Sequence, residues 1–231
     1  MTGRGALHNP FDEVAVASAY DRWYDTPVGR TADRLEKALI LRLAQPRPGE
    51  TALDVGTGTG HFACDLASRG LRVTGCDSSG AMLQVARGKD ADVTWLHSRA
   101  EALPFGDGSF DLVLSVASLE FVDQPDLALD EMFRVCSRGG RVVVGVLNVK
   151  SSWGRARIQE ASRRDTPFRH AHLYTSEELV ASLGQYGHPR WSGSVFFGPS
   201  GRGIRAADLL ERLGQRLWPG RGALLVGRVG K

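Results

Sequence analysis

Residues 51–77, TALDVGTGTGHFACDLASRGLRVTGCD, constrain the fold more than any other stretch of this chain. Leu53 and Val55 belong to an apolar run that stops at Gly56, the pattern of a buried strand. Gly56, Gly58 and Gly60 then fall at every second position. A glycine has no Cβ, so the backbone there can turn sharply and come close to a ligand. Helix-compatible residues follow, and Gly70 supplies the stop. A second apolar strand, 71–76, leads to Asp77 at its carboxyl end. In an open α/β sheet that edge is where ligands bind. Asp77 stands 21 residues after Gly56, close to the ~20 that carries an acid to a ribose diol in dinucleotide folds. The combination points to a cofactor of the adenosine type.

The glycine spacing separates two cofactor classes. A dinucleotide fingerprint reads G-x-G-x-x-G, and its last glycine lets a helix N-terminus meet a pyrophosphate. Here the pattern is G-x-G-x-G, with Asp54 two residues ahead of it. A carboxylate there repels phosphate and suits a cation. S-adenosylmethionine carries an ammonium and a sulfonium and has no phosphate. LDVGTGTG, VTGCDSS, AEALPFGDGSFDLVLS and RVCSRGGRVVVGVLN follow one another along the chain. In that order they resemble the motifs of class I S-adenosylmethionine-dependent methyltransferases. In style they are similar to the small-molecule branch that includes the ubiquinone and menaquinone methyltransferases. The resemblance covers about residues 51–148 well and the flanks weakly.

That resemblance implies a Rossmann-like α/β fold. Its sheet is seven-stranded and mostly parallel, with the last strand antiparallel and helices on both faces. Hydrophobic periodicity places core strands at 51–55, 71–76, 92–97, 110–115 and 140–147. Helices are expected at 31–44, 60–69, 79–88 and 125–136. The run RVVVGVL is apolar throughout, as in a strand covered on both faces. Leu129, Met132, Phe133 and Cys136 form one apolar stripe on the helix before it. Beyond Asn148 a polar, basic helical insertion at 151–164 is expected, then a helix at 175–186, a strand at 191–197, a helix at 205–217 and a last strand at 223–229. A chain of 231 residues fits a single domain. Its expected parts are an N-terminal cap segment and helix (1–45), a cofactor-binding core (46–148), and an insertion with the C-terminal half of the sheet (149–231).

The same resemblance assigns the cofactor contacts. Gly56, Thr57, Gly58 and Gly60 wrap the methionine part, and Asp54 sits near its ammonium. Asp77 accepts both ribose hydroxyls, because an ionised carboxylate offers two oxygens to a vicinal diol. Met82 packs on the adenine face, the backbone of Ala100 donates to the ring, and Ser115 lies close to the reacting methyl. Ser78 and Glu101 complete the expected set. Arg99 departs from the family, whose members usually carry an aspartate there to accept from the adenine amino group. A guanidinium has no acceptor. Either another group reads that edge, or Arg99 stacks on the ring as a planar cation. Tyr20, Trp23 and Tyr24 form a candidate aromatic lid, since in relatives a tyrosine from this region lies over the cofactor. Their alternative role is a hydrophobic staple.

Methyl transfer from a sulfonium is an in-line displacement that demands no diagnostic base. Two residues are nevertheless candidates for the acceptor side. Glu120 is a base, an acceptor-orienting acid, or a solvated loop acid. His172, in RHAHLYTS, is a pocket residue at the mouth or a surface histidine. Acceptor specificity is expected in the N-terminal aromatics, Trp153 and the 150–175 insertion.

Composition narrows the rest. Cys64, Cys76 and Cys136 show no paired spacing and read as small hydrophobes in a reduced protein. Neither C-x-x-C nor H-E-x-x-H occurs, so no protein-bound metal is expected. The N-terminal residues hold no apolar core of signal-peptide length. The longest apolar stretch, around 142–149, is far below the ~20 residues of a membrane span. A cytoplasmic enzyme is the expectation. Charge is uneven: residues 150–231 hold 14 Lys and Arg against 6 Asp and Glu, while 1–149 hold 15 against 20. The basic part suits a solvated surface, an acidic small substrate, an anionic lipid or nucleic acid. The reading is therefore a methyltransferase acting on a small-molecule acceptor. Its rivals are a dinucleotide-dependent oxidoreductase, a non-catalytic cofactor-binding partner subunit and an RNA methyltransferase. Oligomeric state is not readable.

Overall fold

The computed structural model describes residues 11–231. Residues 1–10, which carry most of the signal-peptide reading, lie outside the described residues. Seven strands make one sheet: β1 (Thr51–Val55), β2 (Arg72–Asp77), β3 (Val93–His97), β4 (Phe110–Val116), β5 (Cys136–Leu147), β6 (Arg190–Ser194) and β7 (Leu224–Gly230). Their order is β3-β2-β1-β4-β5-β7-β6. β1 to β5 pair in parallel, and β7 runs antiparallel to both β5 and β6. The order reverses between β1 and β4, and such a switch point opens a crevice at the carboxyl ends of the strands.

Among the described residues eight helices surround the sheet: α1 (Val14–Trp23), α2 (Pro27–Ala44), α3 (His61–Ser68), α4 (Gly80–Arg87), α5 (Pro125–Val135), α6 (Ser152–Ala161), α7 (Ser176–Gly184) and α8 (Ala207–Leu217). The all-apolar strand β5 explains how two cores arise. Val142, Val144 and Val146 face Leu129, Met132 and Phe133 of α5 and Leu183 of α7. Val143 and Leu147 face the other way, toward Leu39 and Ile40 of α2. Side chains alternate along a strand, so a strand buried on both faces must be apolar at every position. No helix among the described residues is long and apolar enough to cross a membrane.

Four local departures from the sequence expectation have physical causes. Residues 14–23 form a helix of their own, with Ala17 buried against Ala81 and Met82 of α4. Cys136 does not close the helical stripe; its backbone is extended and it opens β5. β6 ends at Ser194 because Glu211 of α8 takes the Ser194 hydroxyl at 2.6 Å and the Val195 amide at 2.9 Å. Val195 then adopts φ 63°, which ends the ladder. Cys64 is half-buried rather than buried.

One buried guanidinium ties the amino ends of the strands together. Arg141 of β5 donates to Glu50 Oε1 at 2.9 Å and Oε2 at 2.6 Å. It also donates to the carbonyls of Ala44, Gln45 and Asp111. The Asp111 carboxylate in turn accepts from the Thr51 amide at 2.9 Å and hydroxyl at 2.8 Å. This network fixes the end of α2 against the starts of β1 and β4. Burial alone would raise the Glu50 carboxyl, but the bonds from Arg141 and the Arg47 amide outweigh it and hold it below its ordinary range. A depressed carboxyl contributes stability above its unfolded pKa and loses it as pH falls through the folded one. Glu50→Ala would strand the guanidinium, at an expected cost of about 3 kcal/mol. Urea denaturation at pH 7 checks this, and the gap between wild type and variant should shrink in acid.

Candidate functional site

The glycine turn after β1 is held by one carbonyl. The amides of Gly56 and Thr57 both donate to the Cys76 carbonyl, at 2.8 and 2.9 Å. Gly56, Gly58 and Gly60 have φ of 68°, 55° and 83°, all in the region that disfavours a side chain. Their surroundings differ. A Cβ on Gly56 would lie 1.8 Å from Ser118 Oγ, and one on Gly60 would lie 2.4 Å from the Trp95 ring. A Cβ on Gly58 would meet nothing within 4 Å, because Gly58 faces an open cavity.

Asp77 closes the turn from β2. Its Oδ2 accepts from the Gly58 amide and its Oδ1 from the Ser79 amide, each at 2.8 Å. Ser79, not Asp77, caps α4, accepting from the Met82 amide at 3.2 Å. Each Asp77 oxygen keeps a lone pair for a ligand. Burial raises the Asp77 carboxyl, although both amide bonds oppose the shift. Asp54 lies deeper and accepts from Thr57 Oγ1 at 2.6 Å. Burial, and secondarily the charge of Asp77, push its carboxyl up to about 7. Two neighbouring acids with raised pKa values favour a cation between them. No Lys or Arg from the ends of β1, β2 or β4 lines the cavity. The donor set therefore fits a cationic nucleoside and opposes a pyrophosphate.

The cavity measures about 720 Å³, inside the roughly 300–1,000 Å³ typical of small-molecule sites. Beyond the acidic end its walls come from α1, α2, α6 and the loops after β4 and α6. Tyr20, Trp23, Tyr24, Phe121, Trp153 and Phe168 make this half aromatic, with Glu36 and Arg157 among them. α1 is clamped over it. Asp21 Oδ1 accepts from Lys89 Nζ at 2.7 Å and lies 2.9 Å from His61 Nε2. Tyr24 stacks on the His61 ring at 3.7 Å, and its hydroxyl lies 3.1 Å from that of Tyr20.

Comparison with known proteins agrees with this geometry. A family profile described as a methyltransferase domain matches residues 53–144. A demethylmenaquinone methyltransferase of Renibacterium salmoninarum is 31% identical over 207 residues, covering 83% of this chain and 86% of that one. The chain belongs to the class I S-adenosylmethionine-dependent methyltransferases. A demethylmenaquinone methyltransferase of Clavibacter sepedonicus is 39% identical over 143 residues, 61% of this chain. The match spans 57% of that relative's length. A solved S-adenosylmethionine-dependent methyltransferase of Thermotoga maritima, described as a possible histamine N-methyltransferase, aligns with TM-score 0.72 and 27% identity over 93% of this chain and 96% of that one. The cofactor is S-adenosylmethionine.

In this methyltransferase the structure gathers Tyr20, Asp54, Gly56, Thr57, Gly58, Asp77, Ser78, Met82 and Ala100 around one cavity. Other expected residues stand elsewhere. Gly60 packs under Trp95 and starts α3. Arg99 does not stack in the cavity. Its guanidinium is 61% exposed and drawn outward to Glu101 at 2.9 Å and Asp123 at 3.3 Å. Glu101 is held in that pair and does not line the cavity. Ser115 is fully buried behind the wall, which at this strand is made by Val116, Ala117 and Ser118. Ala117 has φ 50°, a strained turn that carries Ser118 onto Gly56.

The two acceptor-side candidates also fall outside the main cavity. Glu120 is neither a solvated loop acid nor a wall residue. It is 2% exposed on the turn Leu119–Phe121 and accepts from the Leu147 amide. Burial pushes its carboxyl up to about 7. His172 is 62% exposed, pairs with Glu178 at 3.4 Å, and borders a separate, smaller cleft. Glu36 and the clamp residue Asp21 had no local sequence signal. Both are ordinary polar positions on amphipathic helices until the fold turns them inward.

The two glycines flanking Thr57 should respond differently to alanine. Gly56→Ala clashes with Ser118 and is expected to lower stability by about 1–3 kcal/mol. Gly58→Ala has space but a left-handed backbone, an expected cost of about 1 kcal/mol. It also places a methyl in the cavity. Melting curves should therefore separate Gly56→Ala from wild type more strongly. Calorimetry with S-adenosylhomocysteine should show the larger affinity loss per degree of melting for Gly58→Ala.

Proposed function

We propose that this protein transfers the methyl group of S-adenosylmethionine to a small organic acceptor held in the aromatic half of the cavity. The observation that carries the reading is the continuity of the site. One cavity joins an end lined by Asp54, Gly58 and Asp77 to an end lined by Trp23, Trp153 and Phe168. When bound, the cofactor supplies an electrophilic methyl on sulfur; the acceptor's lone pair forms the new bond, and the C–S pair stays on sulfur.

The chain's own residues do the remaining work. Asp54 holds the ammonium, and Asp77 holds the ribose hydroxyls. Met82 and the Ala100 backbone flank the adenine. The α1 aromatics, clamped through Asp21, exclude water from the reacting centre. Holding two reactants in line contributes roughly 7–11 kcal/mol without any proton transfer. Among the described residues that line the cavity only Arg157 is a Lys or Arg, which supports a small acceptor over a nucleic-acid strand. The relatives' names cover a quinone ring and an amine, so they do not choose the acceptor atom.

The test is release of S-adenosylhomocysteine from S-adenosylmethionine in the presence of a mixed panel of phenols, quinols, thiols and amines. Acceptor-dependent release is expected. Ala156→Trp, which fills the aromatic half from α6, should cut turnover by at least about 10²-fold while S-adenosylhomocysteine binding persists. Tight product binding with no acceptor-dependent release from any panel member would contradict an enzymatic role.

A further inference from the structure

Arg157 is the anomaly of the acceptor half. It lies on α6 and lines the cavity. Its guanidinium carbon sits 5.5 Å from the Trp153 ring and 5.2 Å from the Phe168 ring. Both rings favour a cation through their negative faces. Yet its Nη1 is buried and has no hydrogen-bond partner. A buried donor on a charged group is expensive to leave unpaired. Among the described residues the other buried polar atoms left unpaired are oxygens, of Asp33, Thr59, Ser115, Glu120 and Thr166, and Arg157 supplies the one nitrogen. Arg141, which is buried where Arg157 is half-buried, has all its nitrogens bonded.

The nearest candidate partner does not neutralise it. Glu36 of α2 lines the same cavity, but among the described residues no carboxylate closes an ion pair with Arg157. Burial is the main cause that pushes the Glu36 carboxyl up to about 8, with the Arg157 charge opposing. At neutral pH Glu36 is mostly protonated, and Glu160, the other acid lining this half, is exposed to solvent, so no bonded carboxylate balances the buried end of the guanidinium. The cofactor half carries the two acids Asp54 and Asp77. The cavity thus holds paired acids at one end and the unpaired guanidinium at the other, where its walls are flat rings.

We propose that Arg157 anchors an ionised oxygen, carboxylate or acidic phenol, on a planar aromatic acceptor. The inference rests on the methyltransferase reading above and names the acceptor class for it. Trp153 and Phe168 lie against the guanidinium, and its unpaired Nη1 is the donor offered to the ligand. The acceptor's ring lies among Trp23, Phe121 and Phe168. An amine acceptor would suit an aromatic box alone, but Arg157 repels it.

The probes are 2-naphthoate, its uncharged isostere 2-naphthamide, and 2-naphthylmethylamine. Each is titrated into protein saturated with S-adenosylhomocysteine, whose own binding is measured first. Naphthoate should bind about ten- to hundred-fold more tightly than the amide, as a charge-assisted bond provides. Arg157→Gln should bring the ratio close to one, and Arg157→Lys should keep part of it. Arg157→Gln should melt at or above the wild-type temperature, because it removes an unpaired buried cation. Equal or absent naphthoate binding, preference for the amine, or a ratio unchanged in Arg157→Gln would overturn the anchor. So would a melting temperature several degrees lower, which would mark Arg157 as structural. Failure to bind S-adenosylhomocysteine at all would instead overturn the methyltransferase reading.

Discussion

Asp77 accepts the Gly58 amide on one carboxylate oxygen and the Ser79 amide on the other. Those two bonds join the glycine turn after β1 to the entry of α4, and the rest of the site is arranged around them. The Cys76 carbonyl, one residue earlier, takes the amides of Gly56 and Thr57. Two adjacent strand ends thus organise one loop without a basic residue. The acids left beside it, Asp54 and Asp77, are both disfavoured as anions by burial. A cationic ligand relieves that cost, and a phosphate would add to it. Cofactor choice is in this sense a consequence of how β1 and β2 end.

The aromatic half of the cavity is built on different terms. It depends on α1 lying across the cavity, and α1 is held by Asp21 through Lys89 and His61. The buried aromatic surfaces supply stability. Glu36 and Arg157, placed among them without closing an ion pair, oppose it. Residues that cost stability yet line a cavity are the pattern expected where function rather than packing selects the side chain. Glu120 belongs to a second tier. Its bond to the Leu147 amide fixes the end of β5 beneath the cavity floor.

Much of this was legible in the sequence. The apolar runs marked the strands, and the family resemblance implied a seven-stranded, mostly parallel sheet with an antiparallel last strand; the order of the strands came only from the structure. Asp54, Gly58 and Asp77 were visible because they sit in one contiguous stretch of chain, where spacing alone fixes geometry. Gly56 and Gly60 were visible as glycines, but not for what each would strike. Arg99 misled because outward pairing with Asp123 depends on a loop 24 residues away. Glu120 stayed open between a base, an acceptor-orienting acid and a solvated loop acid because only the fold buries a polar turn residue. Arg157 was one arginine among many in a basic half, and nothing local distinguishes a guanidinium aimed inward from one aimed at water. Contacts between distant segments carry that information.

The central claim is that buried acids at the ends of β1 and β2 select a cationic adenosine ligand. Calorimetric titration of the wild-type protein with S-adenosylhomocysteine between pH 6 and 8 tests it most directly, with NAD+ as the comparison ligand. A carboxyl whose pKa is raised to about 7 must lose its proton to receive the ligand's ammonium. Affinity should therefore rise with pH through this range, by up to about tenfold per unit for one linked proton, with proton release on binding. NAD+ should not bind measurably. Affinity that is flat or falls as pH rises, or NAD+ binding as tightly as the homocysteine nucleoside, would contradict the account.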